Sequence, residues 1–363
     1  MLTTGIIGLP MVGKTTVFNL LTLSQTELSS FYSGKVAANV GMAKVPDLRM
    51  DKLKIIYEPQ KFTPAMIKVT DVAGLVAGSS EGKGTGNKFL ADVRQVDALV
   101  QVIRAFASSL PHVEGSIDPL RDYNILATEL ILADLQVMES RKERLLTGKK
   151  KKVEDYDIEL TLTTKCINAL EEGKPISSLA LNDKELLFIK DFGLLTQKPM
   201  LIVVNVDENQ YLNGSYPKKD ELEAMAKEFN YPLVVVCGKL EMELLQLSEP
   251  EQKLFMEDLG LTEPGIDRIA RSIYKMLGLI SFFTVGSDEV RAWTIRTGEN
   301  AKEAAGTIHS DISRGFIRAE VVAYSDFIKT GSELKAKEAG VYRLEGKDYL
   351  VQDGDIINFR FNV

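Results

Sequence analysis

The chain contains few residues of the kinds that build disulfide frameworks or metal clusters. Its 363 residues include two cysteines, Cys166 and Cys237, and two histidines. The cysteines lie far apart and without metal-ligand spacing, which predicts a reducing compartment and no disulfide bond. No apolar run approaches the roughly 18 residues needed to span a bilayer. The sequence opens on an apolar strand rather than on a signal peptide, so we expect a cytoplasmic protein.

The chain also lacks an excess of positive charge. Its formal net charge is −7, with 45% hydrophobic and 26% charged residues, as in an ordinary globular protein. This balance excludes a wholly basic nucleic-acid coat but leaves room for a local basic patch. The length is sufficient for two or three domains, each with its own core.

The most informative motif lies at residues 8–15, which match the phosphate-binding loop G-x-x-x-x-G-K-S/T. An apolar strand precedes the loop and a helix follows it, so backbone N–H groups and a positive helix end would face an anion. We predict that Lys14 reaches the outer phosphates and takes part in catalysis, and that Thr15 ligates Mg2+. The predicted nucleotide contacts in this loop and its flank are Gly8, Pro10, Met11, Val12, Gly13, Lys14, Thr15 and Thr16.

A second nucleotide motif, D-x-x-G, begins at Asp71 after another predicted strand. We expect Asp71 to hold Mg2+ and the Gly74 N–H to meet the γ-phosphate. The next residue is Leu75, where many switch GTPases carry a glutamine that orients the attacking water. Either another group positions the water, or hydrolysis is slow. The glycine-rich stretch 77–87 is either a mobile loop over the phosphates or a solvated linker.

The nucleotide base is expected beside a third motif at residues 205–208. Guanine-specific switch proteins present N-K-x-D after this strand, but here Val206 replaces the lysine and Glu208 the aspartate. Asn205 keeps an amide that can pair with adenine N6 and N7. These changes favour adenine over guanine. Cys237 and Gly238, followed by Lys239, form either a second base-contacting loop or an ordinary turn after a strand.

Together these segments resemble the YchF family, the Obg-like ATPases. The family shares the phosphate loop G-L-P-x-V-G-K, the string D-x-A-G-L-V-x-G-A-S-x-G-x-G-L-G-N-x-F-L matched at 71–90, and N-x-x-E. The resemblance continues near the end of the chain at 290–294, 315–321, 344–349 and 351–355. It implies an ATP-preferring P-loop NTPase that hydrolyses ATP, carries a hydrophobic residue in place of the catalytic glutamine, and associates with ribosomes or translation factors.

Two departures from the family pattern meet near the expected γ-phosphate. Met11 stands where the family usually has an asparagine, which in related NTPases helps to hold a monovalent cation; a thioether is a poor ligand for such a cation. Lys35 stands where the family has a threonine in its first switch. We hypothesise that Lys35 supplies the positive charge, making turnover independent of potassium or poor. The alternative is that Lys35 is a solvated loop residue.

His112 lies in a stretch that matches the family loop H-V-x-G-x-x-D-P. With no glutamine at position 75, a loop histidine can orient or deprotonate the water, so we name His112 a catalytic candidate. A loop histidine without such a role is the alternative, because one histidine carries no geometry by itself.

The remaining segments predict surfaces for partners. Helical periodicity over 122–146 and 156–170 predicts an arm of two helices, and the lysine run at 149–152 between them is either an RNA contact or a solvated turn. Short strands with one helix over 278–363 predict a small α+β domain of β-grasp order. The resemblance identifies this last domain as TGS, an RNA- or protein-interaction module.

We therefore predict an α/β P-loop NTPase of the Ras-like G-domain type, with an inserted helical coiled-coil arm and a C-terminal α+β TGS domain. The predicted G domain covers 1–121 and 186–277, the arm 122–185 and the TGS domain 278–363. We expect a monomer that binds no membrane and contacts the ribosome and RNA through the arm and the TGS domain. The predicted function is ribosome-associated ATP hydrolysis; the alternatives are a GTPase of the same fold and a non-hydrolysing, nucleotide-gated RNA or ribosome binder.

Overall fold

The computed structural model describes residues 2–23, 40–72, 85–108, 112–147 and 153–362. The chain divides into two compact units. The first comprises residues 1–42 and 68–276, and the second comprises 43–67 and 277–363. Within the described ranges, no helix combines the length and the apolar character needed to cross a bilayer.

A six-stranded sheet forms the centre of the first unit. Its spatial order is β2-β4-β1-β5-β6-β7, and the pairs from β4 through β7 are parallel. The neighbouring strands β5 and β6 are buried along their whole length, and most of their residues are apolar. The strands are β1 (Thr3–Ile7), β2 (Val40–Lys44), β4 (Met66–Asp71), β5 (Ala98–Arg104), β6 (Met200–Asn205) and β7 (Leu233–Val236).

Helices connect these strands, as expected of a parallel α/β sheet. Because the strands are parallel, the loops that follow β1, β4, β5, β6 and β7 all lie at one edge of the sheet. The helices are α1 (Lys14–Leu23), α3 (Thr85–Arg94), α4 (Pro119–Thr147), α5 (Val153–Glu171), α6 (Asp183–Ile189), α7 (Glu208–Asn213), α8 (Lys219–Glu228), α9 (Gly238–Leu244), α10 (Glu249–Asp258) and α11 (Gly265–Met276).

The long helices α4 and α5 form the arm that the sequence predicts. They pack through an apolar cluster that includes Met138, Leu162 and Cys166. At the base of the arm, the fully buried carboxylate of Asp134 accepts hydrogen bonds from the backbone N–H groups of Leu195 and Thr196, at 2.8 and 2.7 Å. The Thr196 hydroxyl donates a third bond, at 2.7 Å. The arm is therefore tied to the segment that leads into β6.

The second unit is built on a mixed sheet of order β11-β10-β12-β8-β9-β3. Its core gathers side chains from the strands and from α12, among them Phe282, Ala304 and Phe359. This arrangement agrees with the predicted α+β domain. Its elements are α2 (Leu48–Tyr57), β3 (Lys61–Thr63), β8 (Leu279–Thr284), β9 (Glu289–Arg296), α12 (Ala301–Ile308), α13 (Ser310–Arg314), β10 (Phe316–Ala323), α14 (Tyr324–Thr330), α15 (Glu333–Glu338), β11 (Arg343–Glu345) and β12 (Asp355–Phe361).

Residues 43–67 are grouped differently from the predicted domain boundaries, which counted them with the G domain. In the structure they belong to the second unit, where β3 pairs in parallel with β9. The Arg49 guanidinium of α2 donates to Asp47 and to Asp353, both at 2.8 Å. It also lies 5.1 Å from the centre of the Phe283 ring. The chain thus enters the second unit within β2, at residue 43, and leaves it within β4, after residue 67.

Candidate functional site

The loop between β1 and α1 folds as a phosphate-binding loop, and at two of its glycines there is no space for a side chain. A Cβ on Gly8 would lie 2.6 Å from the backbone oxygen of Val102. Gly13 has φ +97°, and a Cβ there would lie 2.4 Å from Nδ2 of Asn205. Both positions therefore require glycine. The helix α1 starts at the next residue, which directs its N-terminal N–H groups toward the loop.

Lys14 lies at the mouth of this loop. Its ammonium donates to the backbone oxygens of Gly8 and Leu9, at 3.2 and 3.3 Å. Burial lowers the pKa of Lys14, while the nearby Asp71 carboxylate acts in the opposite direction. An ammonium carries three donors, so it can bind an anion in the loop while keeping contacts to the loop itself.

The two predicted metal ligands lie together. Asp71 ends β4, which pairs with β1, and the Thr15 hydroxyl donates to Asp71 Oδ2 at 3.4 Å. Burial raises the pKa of Asp71, and Lys14 and the Thr15 hydroxyl oppose that shift. A hydroxyl and a carboxylate are hard oxygen donors of the kind that Mg2+ prefers. The residues present therefore fit a magnesium ion.

A cavity of about 630 Å3 opens beside the loop. Part of its lining was predicted from the sequence, namely Gly13, Thr16, Asn205, Val206, Glu208, Cys237 and Gly238. The structure brings these residues together because β6 and β7 are adjacent, with Asn205 in register with Val236. Lys239, named from the sequence only as part of a possible base-contacting loop, also lines the cavity. Sequence reasoning did not assign the rest of the lining, which is Phe106, Ala107, Asp207, Asn209 and Met242.

Phe106 is the largest of the lining residues that sequence reasoning missed. The buried Arg104 holds it: Nε donates to the Phe106 backbone oxygen at 3.1 Å, and the guanidinium lies 4.7 Å from the ring centre. The signal available in the sequence was Arg104 at the end of β5, with the aromatic Phe106 two positions later. Phe106 and Met242 provide flat or polarisable apolar surface, which suits a purine ring.

The structure gives Asn205 a role that the motif did not predict. Its Nδ2 donates to the Val12 backbone oxygen at 3.1 Å, and its Oδ1 accepts from the Gly238 N–H at 3.1 Å. The residue is buried, and both halves of its amide are therefore engaged within the protein. Asn205 therefore connects the phosphate loop to the loop after β7. Its pairing with adenine stays a prediction.

Of two other predicted base contacts, Glu208 forms an ion pair and Cys237 is buried. Glu208 Oε1 lies 2.6 Å from the Lys239 ammonium, and both side chains are well exposed. Cys237 is buried just before α9, and burial raises the pKa of its thiol. The cavity therefore presents an ion pair, rather than a free carboxylate, near the expected base.

Met11 has a backbone conformation that the motif alone did not predict. Its φ is +63°, in the left-handed region, and the residue is 51% exposed. Asparagine occupies that region far more readily than methionine. The neighbouring Val12 is buried and Pro10 partly exposed.

His112 does not line the cavity beside the phosphate loop. Its imidazole is 4% exposed, and Nε2 lies 2.8 Å from Asp122 Oδ2 at the start of α4. Its Nδ1 accepts from the Glu114 N–H at 3.1 Å, and Arg121 donates to the other oxygen of Asp122. In this structure the imidazole is therefore a buried partner of Asp122 rather than a loop side chain directed at water.

Several predicted residues lie outside the described ranges. These are Gly74 and Leu75 after Asp71, Lys35 in the first switch segment, and the lysine run at 149–152. The roles assigned to them stay predictions.

The chain is similar to known proteins whose names, GTPase and ATPase, agree with a nucleotide-binding site. A family model described as a 50S ribosome-binding GTPase matches residues 3–206, and the model YchF-GTPase_C, described as a protein of unknown function, matches residues 279–362. The ribosome-binding ATPase YchF of Bacillus subtilis is 44% identical over 367 residues, covering 100% of both chains. Its counterpart in Haemophilus influenzae is 44% identical over 360 residues, covering 99% of each. The solved YchF GTPase of Schizosaccharomyces pombe is 33% identical, with a TM-score of 0.88 over 99% of this chain and 97% of that one.

Proposed function

The chain belongs to the YchF family, and on this premise we propose that it is a ribosome-binding ATPase. The bacterial relatives carry that name. The single observation that carries the proposal for this chain is the cluster of Lys14, Thr15 and Asp71 beside the cavity of about 630 Å3. That cluster supplies the cation, hydroxyl and carboxylate that bind a magnesium-bound triphosphate.

Thr15 and Asp71 are the proposed magnesium ligands. Bound Mg2+ neutralises charge on the phosphates and on the leaving group. Lys14 would bind the outer phosphate oxygens, and the N–H groups of the loop, from Gly8 to Thr16, would surround the phosphates. In this assignment the protein contributes positioning and charge, which are the main terms in phosphoryl transfer.

We propose ATP as the preferred substrate. Support comes from Glu208 in place of the aspartate that binds guanine, and from the Lys239 ammonium held against it. The names of the relatives differ on this point, because the bacterial proteins are called ATPases and the yeast structure a GTPase. A GTPase of the same fold is therefore the alternative within this class.

His112 stays our proposed catalytic residue for water, with one condition set by the structure. Its imidazole contacts Asp122 at 2.8 Å, so it must leave that contact to reach a water molecule at the γ-phosphate. This requirement supports our proposal that the isolated protein hydrolyses ATP slowly. It also gives weight to the second alternative, a nucleotide-gated ribosome or RNA binder that does not hydrolyse.

The proposed partners are the ribosome, through its large subunit or the whole particle, and RNA, contacted by the arm and by the C-terminal domain. We propose a cytoplasmic monomer whose TGS domain comprises residues 278–363. Met11, in place of the family asparagine, supports our proposal that turnover is poor or independent of potassium.

The proposal is tested by measuring release of phosphate from ATP with and without purified ribosomes, with Lys14→Ala as the control variant. We expect ribosomes to raise the turnover of the natural chain and Lys14→Ala to lose it in both conditions. ATP binding without turnover in either condition would favour the non-hydrolysing binder. Faster turnover of GTP than of ATP would favour the GTPase.

A further inference from the structure

An ion pair stands at the edge of the nucleotide cavity. Glu208 is the first residue of α7, just after β6, and Lys239 is the second residue of α9, just after β7. Because these strands are parallel neighbours, the two side chains meet, with Lys239 Nζ 2.6 Å from Glu208 Oε1. Both residues line the cavity.

The pair changes what the carboxylate can offer to a base. A free carboxylate is an acceptor only, and it can take two donors side by side. Guanine presents two such donors, N1–H and the N2 amino group, whereas adenine presents one donor, the N6 amino group, and an acceptor, N1. An ammonium at hydrogen-bond distance from Oε1 occupies one oxygen and places N–H donors where guanine also presents donors. A carboxylate with an adjacent ammonium supplies one acceptor and one donor, as adenine requires.

We propose that Lys239 is a specificity-determining residue that disfavours guanine by holding the Glu208 carboxylate and presenting its own donors to the base. This inference rests on the proposed function, since it concerns the base of the same nucleotide. Sequence reasoning based the choice of base on residues 205–208 and offered the loop with Lys239 as a possible second base contact, without relating Lys239 to Glu208. The structure adds the residue that faces Glu208 from the neighbouring loop.

The surroundings of the pair support a charged Lys239. The hydrogen bond to Glu208 and its negative charge raise the pKa of Lys239, and Glu243, at 3.9 Å on the same helix, acts in the same direction. The exposed fractions are 70% for the lysine side chain and 41% for the glutamate. Solvent therefore screens the pair, and its effect on selectivity is expected to be modest and to weaken with salt.

The test compares the dissociation constants of Mg-ATP and Mg-GTP by calorimetry for the full chain and for Lys239→Met, which keeps the length but removes the charge. We expect the preference for ATP over GTP to fall about five-fold or more, mainly through tighter GTP binding to the freed carboxylate. In the double variant Lys239→Met/Glu208→Gln, that gain in GTP binding should disappear. Lys174→Met is the matched control, because Lys174 forms an exposed 2.8 Å pair with Glu172 and does not line the cavity.

The possible failures are distinguishable. An unchanged ratio in Lys239→Met, or a gain in GTP binding that persists in the double variant, would overturn the role of Lys239 while leaving the ATPase proposal in place. Failure of the natural chain to bind either nucleotide would refute the proposed function, and the inference with it.

Discussion

At the scale of single residues, the site depends on side chains that connect loops as well as on those that would touch the nucleotide. Asn205 is the main example. Its amide joins the carbonyl oxygen of Val12 to the N–H of Gly238, and the tight space at Gly13 exists because Asn205 lies against it. The residue that the motif presents as a base contact therefore holds the phosphate loop in position.

Asn205→Ala tests this interpretation. Removing the amide leaves a buried oxygen and a buried N–H without partners, at a cost of about 1–3 kcal/mol. If about 1.4 kcal/mol of this cost is lost from nucleotide binding, the dissociation constant rises about ten-fold. We expect this loss for ATP and GTP alike. Calorimetric titration of both nucleotides measures the two values, and Asn209→Ala, another change in the cavity lining, is the control. A loss confined to ATP would show that Asn205 reads adenine after all.

His112 provides a second prediction at this scale. If its imidazole leaves Asp122 to act on water, His112→Ala should lower ribosome-stimulated ATP turnover by at least about ten-fold, since general-base catalysis contributes roughly 100-fold or more. ATP affinity should stay unchanged, because His112 does not line the nucleotide cavity. Substitution of the exposed His309 in the second unit should change neither quantity. Normal turnover in His112→Ala would assign this residue to the packing of α4 only.

At the scale of elements, the helix α2 is held in the second unit by a small set of polar contacts. Asp47 caps the helix and accepts from the Arg49 guanidinium, which also donates to Asp353; Asp353 in turn accepts from the Ser281 N–H at 3.0 Å. Tyr57 stacks on Phe327, with ring centres 5.9 Å apart. These contacts join residues far apart in the sequence.

We expect Arg49→Leu to lower the free energy of unfolding of the second unit by about 1–2 kcal/mol, the lower part of the range for hydrogen bonds to charged groups, because solvent screens part of the interaction. Amide exchange in α2 should accelerate more than exchange in β12. Arg314→Leu is the control, since its guanidinium is 78% exposed and pairs only locally, with Asp311. Equal protection of α2 in Arg49→Leu and in the natural chain would contradict this account.

The base of the arm depends on Asp134. In Asp134→Ala the donors at Leu195 and Thr196 lose their buried acceptor, so we expect unfolding to require about 2–4 kcal/mol less. Urea unfolding at neutral pH measures the difference. Asp183→Ala, at the exposed start of α6, should cost less than half as much.

The natural chain and Asp134→Ala also test how the stability contributed by Asp134 depends on pH. Burial raises the pKa of Asp134 above its ordinary value of 3.8, and hydrogen bonds only partly offset the shift. The native chain therefore keeps this proton to higher pH than the unfolded chain. The stability that Asp134 contributes should decrease as pH rises from about 3.8 through the raised pKa. The advantage of the natural chain over Asp134→Ala should thus be larger at acidic than at neutral pH, and the opposite trend would show that the carboxylate is stabilised as an anion.

Sequence reasoning predicted the elements that have strong local patterns. The apolar runs of β5 and β6, the helical periodicity of α4 and α5, and the glycine spacing of the phosphate loop all correspond to observed structure. The placement of residues 43–67 was missed for a physical reason. Only Met50 and Leu53 of α2 are buried, and the three-residue strand β3 depends on pairing with β9, more than 220 positions later. Contacts between residues so far apart produce no clear pattern in the local sequence.

Within the site, too, the sequence predicts residues in motifs better than residues brought together from distant segments. The spacing of the motifs implies the geometry of Gly8, Lys14, Thr15 and Asp71. Phe106 follows β5, whereas Lys239 and Met242 both belong to α9, and no motif spacing relates these two segments. The amide of Asn205 can bind a base or a backbone group equally well, so the sequence alone does not predict its contacts to Val12 and Gly238.

At the scale of the whole molecule, we propose that this chain binds ATP in preference to GTP and couples that binding to the ribosome. The site residues that support the claim all belong to the first unit. Residues 43–67, which include α2 and β3, belong to the second unit and lead along the chain directly into the end of β4 at Asp71.

The most direct measurement is a calorimetric titration of the purified full chain with Mg-ATP and with Mg-GTP, alone and with ribosomes, while phosphate release is followed in parallel. We predict tighter binding of ATP than of GTP and turnover that increases when ribosomes are present. Tighter binding of GTP, or the same slow turnover with and without ribosomes, would contradict the claim.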